Sequence, residues 1–122
     1  MIRITAALLL IAVPTVSHAA SSCEVGYLKL IPDVTVTGQM QVVSGKPCGI
    51  AIANSAGGTK SQEITRRASN GKAEIVGFVV RYTSRPGFVG KDSFSYVRHA
   101  LDATNNRPIT LPVNIDVTVT SR

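Results

Sequence analysis

From Ile109 to Val119 every odd position is apolar and every even position is polar or proline. Period-two alternation sustained this long predicts a β-strand with one buried face. The same spacing sets Phe94 and Tyr96 against Ser93 and Ser95, and Phe78, Val80 and Tyr82 against Val79 and Arg81. Two more strands are predicted there, with the aromatic rings directed into a core and Ser95 toward solvent. Val34–Thr37 and Met40–Val43 read as one strand bent at Gly38, while Ile50–Ala53 and Ser61–Ser69 carry weaker strand patterns. Turn-forming clusters separate these runs: Ser44 to Pro47, Asn54 to Gly58, Asn70-Gly71, Arg85-Pro86-Gly87 and Asn105 to Pro108. Asn70-Gly71 predicts a two-residue hairpin, because both central residues of a type I′ turn need positive φ. No useful helix-period stretch follows the first residues. The pattern predicts an all-β chain, an antiparallel two-sheet sandwich of six or seven strands.

The start of the chain reads differently. Arg3 precedes an apolar run over residues 4–13, Pro14 ends it, and Ser17-His18-Ala19 places small residues three and one positions before a cut. This predicts a secretory signal peptide over 1–19 and a single exported domain over 20–122, in the periplasm or outside the cell. Ala20-Ser21-Ser22-Cys23 resembles a lipoprotein box, but Ala20 stands where such boxes carry Leu, which favours soluble export. No later segment is long and apolar enough for a transmembrane helix. Cys23 and Cys48 are the only two cysteines, and an even pair in an exported domain predicts one disulfide. A zinc site would lack ligands, since His99 is the only histidine after the leader.

Residues 82–96 run Tyr-Thr-Ser-Arg-Pro-Gly-Phe-Val-Gly-Lys-Asp-Ser-Phe-Ser-Tyr. This resembles the signature of bacterial immunoglobulin-like and cadherin-like domains of exported and surface proteins, matched at Tyr82, Thr83, Gly87, Phe88, Gly90, Asp92, Ser93, Phe94 and Tyr96. The resemblance extends over about residues 64–119, and it implies an immunoglobulin-like sandwich while saying little about a ligand. The residues support it independently. Pro86 and the two glycines turn the chain across one end of the core, Phe88 can plug that end, and the Asp92 carboxylate can accept backbone N–H bonds. The Asp92-x-Phe94-x-Tyr96 spacing also resembles the corner at which a tyrosine hydroxyl of immunoglobulin domains bonds back to the chain. Arg98 stands where an antibody domain has its second cysteine, so a Cys23–Cys48 bridge would be of another kind.

Chemistry is sparse. No Gly-x-Ser-x-Gly elbow accompanies His99, the seven carboxylates are scattered singly, and Gly57-Gly58-Thr59-Lys60 lacks the helix that would make it a phosphate loop. Asp102 with Asn105 and Asn106 is the nearest approach to a calcium loop and reads as a polar turn. No enzyme activity, cofactor or metal is expected. Lys and Arg number 13 against 7 Asp and Glu, and losing Arg3 with the leader leaves 12 against 7. If Arg66, Arg67, Arg81 and Arg98 share a face, they form an anion-binding patch for an acidic envelope polysaccharide, with nucleic acid a poorer fit to an exported domain. The alternative is a solvated surface that keeps strand edges from aggregating. The expected function is a non-catalytic binding or structural module of the periplasm or cell surface, with an unidentified protein or polysaccharide partner. A secreted inhibitor acting through the Arg85–Lys91 loop is the rival reading.

Overall fold

The computed structural model describes residues 9–12, 22–51 and 58–121, so the predicted cleavage site after Ala19 lies outside the described residues. Eight strands follow in chain order: β1 (Cys23–Val25), β2 (Val36–Val43), β3 (Cys48–Ala51), β4 (Thr59–Arg66), β5 (Gly71–Val76), β6 (Val79–Ser84), β7 (Gly90–Leu101) and β8 (Pro108–Thr120). They form a five-stranded sheet in the order β1-β2-β8-β7-β4 and a three-stranded sheet in the order β3-β6-β5. No helix among the described residues is long and apolar enough to cross a membrane.

The alternation over 109–119 becomes β8, whose inward side chains Val113, Ile115, Val117 and Val119 are buried. They meet Phe94 and Tyr96 of β7, Met40 and Val42 of β2, and Val80 and Tyr82 of β6 in one core drawn from both sheets. The Tyr82 and Phe94 rings stack with centroids 5.7 Å apart, and Phe94 and Tyr96 follow at 6.4 Å, making an aromatic column through the middle. Phe88 packs against the core's edge, as the turn chemistry around it predicted, with the Arg85 guanidinium 5.7 Å from its ring centroid.

Four local expectations are corrected. Not every pairing is antiparallel: β2 runs parallel to β8, from Val36 opposite Val113 to Val43 opposite Thr120. Asn70-Gly71 makes no hairpin; Asn70 ends the crossover from β4 in one sheet and Gly71 begins β5 in the other. The two-residue hairpin is Gly77-Phe78, with Gly77 at φ 61°, the arrangement of a type II′ turn with glycine at its first central position. Phe78 is therefore on the turn and 67% exposed instead of in the core, since the strand begins one residue later at Val79. Gly38 does not bend β2. It is buried and bare because a Cβ there would collide with the Leu28 side chain, which fills the space.

The two cysteines are joined, with Cα atoms 5.2 Å apart. The bridge links β1 of the larger sheet to β3 of the smaller one, across a loop of 25 residues in sequence. Chain-entropy arithmetic gives about 3.5 kcal/mol for closing a loop of that length. Denaturant titration with and without dithiothreitol should show a loss of that size on reduction, and a coincident pair of curves would mean that the bridge constrains nothing.

Candidate functional site

Strand lengths decide where a cavity forms. β7 and β8 are 12 and 13 residues long, while β3 and β6 are only 4 and 6. The short sheet ends where Ala51 pairs with Val79, and the long strands continue past it on the inner side through Arg98, Ala100, Ile109 and Leu111. The segment between β1 and β2 lies along this overhang. It is tied at one end by the disulfide and by Gly26 N–H donating to the Gln39 carbonyl (2.9 Å). At the other end Asp33 N–H donates to the Thr110 carbonyl (2.7 Å), and Asp33 Oδ1 accepts from Thr110 N–H (3.2 Å). Those bonds fall on the stretch of β8 that precedes its pairing with β2, the edge on which Pro112 can also be tolerated for want of an N–H.

Between this segment, β3 and the overhanging strands is a cleft of about 540 Å³. Its walls are mostly apolar, including Leu28, Leu30, Ile50, Ala100, Ile109 and Leu111. Tyr27, 91% exposed, is also part of the lining. Among the described lining residues two carry charge, Lys29 and Arg98, and both are cationic. Arg98 follows Phe94 and Tyr96 on the inward face of β7 and is only 4% exposed. Burial pushes its pKa below the ordinary arginine value, yet a guanidinium remains charged at neutral pH.

This placement corrects the expected basic patch. Arg81 lies on the opposite face of β6 from Val80 and Tyr82 and forms an ion pair with Glu74 on β5 at 2.6 Å. The Arg81 and Lys72 side chains together hold the Glu74 carboxyl below its usual range. Arg66 is on the outer face of the five-stranded sheet, donating from Nε to Ser95 Oγ (3.2 Å), and Arg67 is exposed on the crossover. Arg66, Arg81 and Arg98 thus occupy three different faces. Period two marks Arg98 as inward alongside Tyr96, so a charge on that strand need not be a surface charge.

A second polar centre lies inside the fold. Asp92, at the start of β7, is buried, and its carboxylate accepts four hydrogen bonds. Oδ1 takes the backbone N–H of Ser69 (3.0 Å) and of Ser93 (2.8 Å); Oδ2 takes that of Asn70 (3.0 Å) and the Tyr82 hydroxyl (2.7 Å). Burial alone would raise the Asp92 pKa, but the Tyr82 hydroxyl and the three N–H groups outweigh it and hold the carboxyl below its ordinary range. Burial and the same hydrogen bond push the Tyr82 phenol far up. The tyrosine that bonds back to the chain is thus Tyr82, from the neighbouring sheet, and not Tyr96. Asp92 is a structural clamp between the sheets.

The remaining candidates resolve simply. His99 Nε2 is 3.1 Å from Glu63 Oε1 at the surface. Asp102 and Asn105 accept N–H bonds from Thr104 and Arg107 within their own turn. Among the described residues no three His, Cys, Asp or Glu side chains come together as metal ligands. The Arg85–Lys91 loop is pinned at its start, where Arg85 N–H donates to the Asn70 carbonyl (2.8 Å) and its Nη2 to Asn70 Oδ1 (3.3 Å). Comparison of the chain with protein-family models, curated proteins and solved structures finds no match.

Proposed function

We propose that the protein is an exported, non-catalytic immunoglobulin-like binding module of the bacterial periplasm or cell surface, and that it binds a small ligand in the cleft between its sheets. The cleft carries this reading: about 540 Å³, largely apolar and partly roofed by a tethered segment, it falls within the roughly 300–1,000 Å³ of sites that enclose small molecules. Export is supported by the leader pattern and by the disulfide, which persists in oxidising compartments. The immunoglobulin-like reading is supported by strand order. β3-β6-β5 and β8-β7-β4 follow the sequence positions that immunoglobulin domains assign to strands B-E-D and G-F-C, and Arg98 sits inward on β7 at the place of the antibody cysteine. The acidic-polysaccharide reading loses its motivating geometry, because the arginines it needs do not share a face.

The test uses N-phenyl-1-naphthylamine, a neutral dye whose emission rises in apolar surroundings. The disulfide-bonded chain should enhance its fluorescence saturably, and Ala100→Phe, which adds a ring into the cleft, should reduce that enhancement at least tenfold while the far-ultraviolet spectrum stays that of a β protein. Absence of enhancement, or enhancement indifferent to Ala100→Phe, would remove the cleft as the binding site.

A further inference from the structure

We propose that the cleft takes a short extended peptide, which adds a fourth strand to the smaller sheet along the open edge of β3 and brings an acidic residue to Lys29. This rests on the reading of the cleft as the binding site and names the class of ligand that it takes.

β3 is the edge of its sheet, paired with β6 on one side only. The β5–β6 hairpin fixes which of its backbone groups are spare. Strand residues hydrogen-bond alternately to one side and the other, and the two residues flanking a two-residue turn bond to each other. Val79 therefore directs its N–H and C=O to Val76 of β5, while Val80 and Tyr82 direct theirs to Ile50 and Cys48 of β3. Gly49 and Ala51, opposite Arg81 and Val79, turn their N–H and C=O away from β6. Both residues are exposed and line the cleft, and among the described residues neither makes a backbone hydrogen bond to another segment. A strand edge of this kind is a template for a further strand, and β3 carries no charge or proline to turn one away.

The cleft holds the chain's own neighbouring segment off this edge. Along residues 27–30 Leu28 and Leu30 are half-buried and Tyr27 and Lys29 exposed, yet among the described residues no backbone hydrogen bond joins them to β3. β1 and β2, which flank the segment, belong to the larger sheet. A peptide in the gap bonds to Gly49 and Ala51 through alternate residues, spaced by the strand rise of about 3.4 Å per residue. Its residue opposite Ile50 points into the cleft against Leu28, Leu30 and Leu111, and the residues on either side point out. A hydrocarbon chain in the same place would displace water from the Gly49 and Ala51 backbone groups and offer them no partner. Charge selects the flank of the peptide. No carboxylate occurs among the described lining residues and Lys29 is exposed there, so an acidic residue is attracted and a basic one repelled.

Calorimetry on the disulfide-bonded chain would use a capped six-residue peptide in which valine and threonine alternate and the last residue is aspartate. Two further forms carry N-methyl groups on the odd or on the even residues. The parent should bind, and one methylated form alone should lose at least about tenfold, because only one parity of N–H groups faces β3. Ala51→Pro removes an outward N–H and spares the ladder to β6, a position where an edge strand accepts proline. It should weaken the parent peptide at least about tenfold while the naphthylamine dye still enters. Lysine in place of the aspartate should weaken binding about two- to fivefold at low salt. Equal affinity for the parent and both methylated peptides on the unaltered chain, or an Ala51→Pro chain that binds the parent as before, overturns the added strand. So does saturable binding of decanol where the peptide does not bind, which assigns the cleft to hydrocarbon, and so does a peptide-free dimer that Ala51→Pro dissolves, which assigns the edge to a second copy. A lysine form that binds as tightly as the parent overturns the acidic flank. If the dye enters in an Ala100-sensitive way and no peptide binds, the cleft reading stands while this one falls. If neither binds, both fall.

Discussion

Replacing Asp92 with alanine should destabilise the protein by about 3–5 kcal/mol, because a buried donor left unsatisfied costs about 1–3 kcal/mol and several are orphaned together. Four donors lose their acceptor at once: the Tyr82 hydroxyl and the N–H groups of Ser69, Asn70 and Ser93. Two of these lie on the β4–β5 crossover and one on β6, so the loss is felt in both sheets and in the link between them. Tyr82→Phe removes a single bond and keeps the ring stacked on Phe94, so it should cost only about 1–2 kcal/mol. The clamp also predicts acid sensitivity. Because the folded carboxyl titrates below its unfolded value of about 3.9, its stabilisation is full above that pH and is lost as pH falls through the folded pKa. Urea midpoints measured from pH 6 to pH 2.5 should therefore drop below about pH 4, and Asp92→Asn should flatten that drop. An Asp92→Asn chain with the same acid profile as the unaltered protein would assign the sensitivity to other carboxylates.

Phe94→Ala should cost about 3–5 kcal/mol by denaturant titration, because the ring is completely buried between Tyr82 and Tyr96 and the column has no way to close over the space it leaves. Ser95→Ala is the internal control. The alternation expects Ser95 on the solvent side, where its loss would be nearly silent. It does lie on the outer face, but Arg66 donates to its hydroxyl and the hydroxyl donates to Asn114 Oδ1 at 2.7 Å, so it is buried. Its removal should cost about 1 kcal/mol. A chain in which Ser95→Ala is more damaging than Phe94→Ala would contradict the register of β7 against β8, since a one-residue slip exchanges the two faces.

The sequence by itself determined the all-β class, the inward faces of β7 and β8, the closing of the core end by Phe88 and the pairing of the two cysteines. Each of these depends on local information: a period of two, a turn residue with a restricted backbone, or an even thiol count in a chain that looks exported. Asp92 as an acceptor of backbone N–H bonds was legible for the same reason, because a short carboxylate at a turn has nearby donors. Its bond to Tyr82 was not, since that partner approaches from the other sheet.

What only the tertiary structure decided concerns partners and ends. Alternation says that Phe78 shares a parity with Val80 and Tyr82, but not that the chain reverses at Gly77, which leaves Phe78 outside. It cannot say that β2 pairs parallel with β8, because strand direction depends on how the chain returns and not on side-chain order. The three residues of β1 are too few to show a period, and they form a strand through pairing with β2 and the disulfide. The cleft is invisible from any one segment. It exists because 12- and 13-residue strands in one sheet overrun 4- and 6-residue strands in the other, and because Leu28 finds room over Gly38. Arg98 came to line the cleft by the same mismatch: its parity points it inward, and the opposite sheet ends before reaching it.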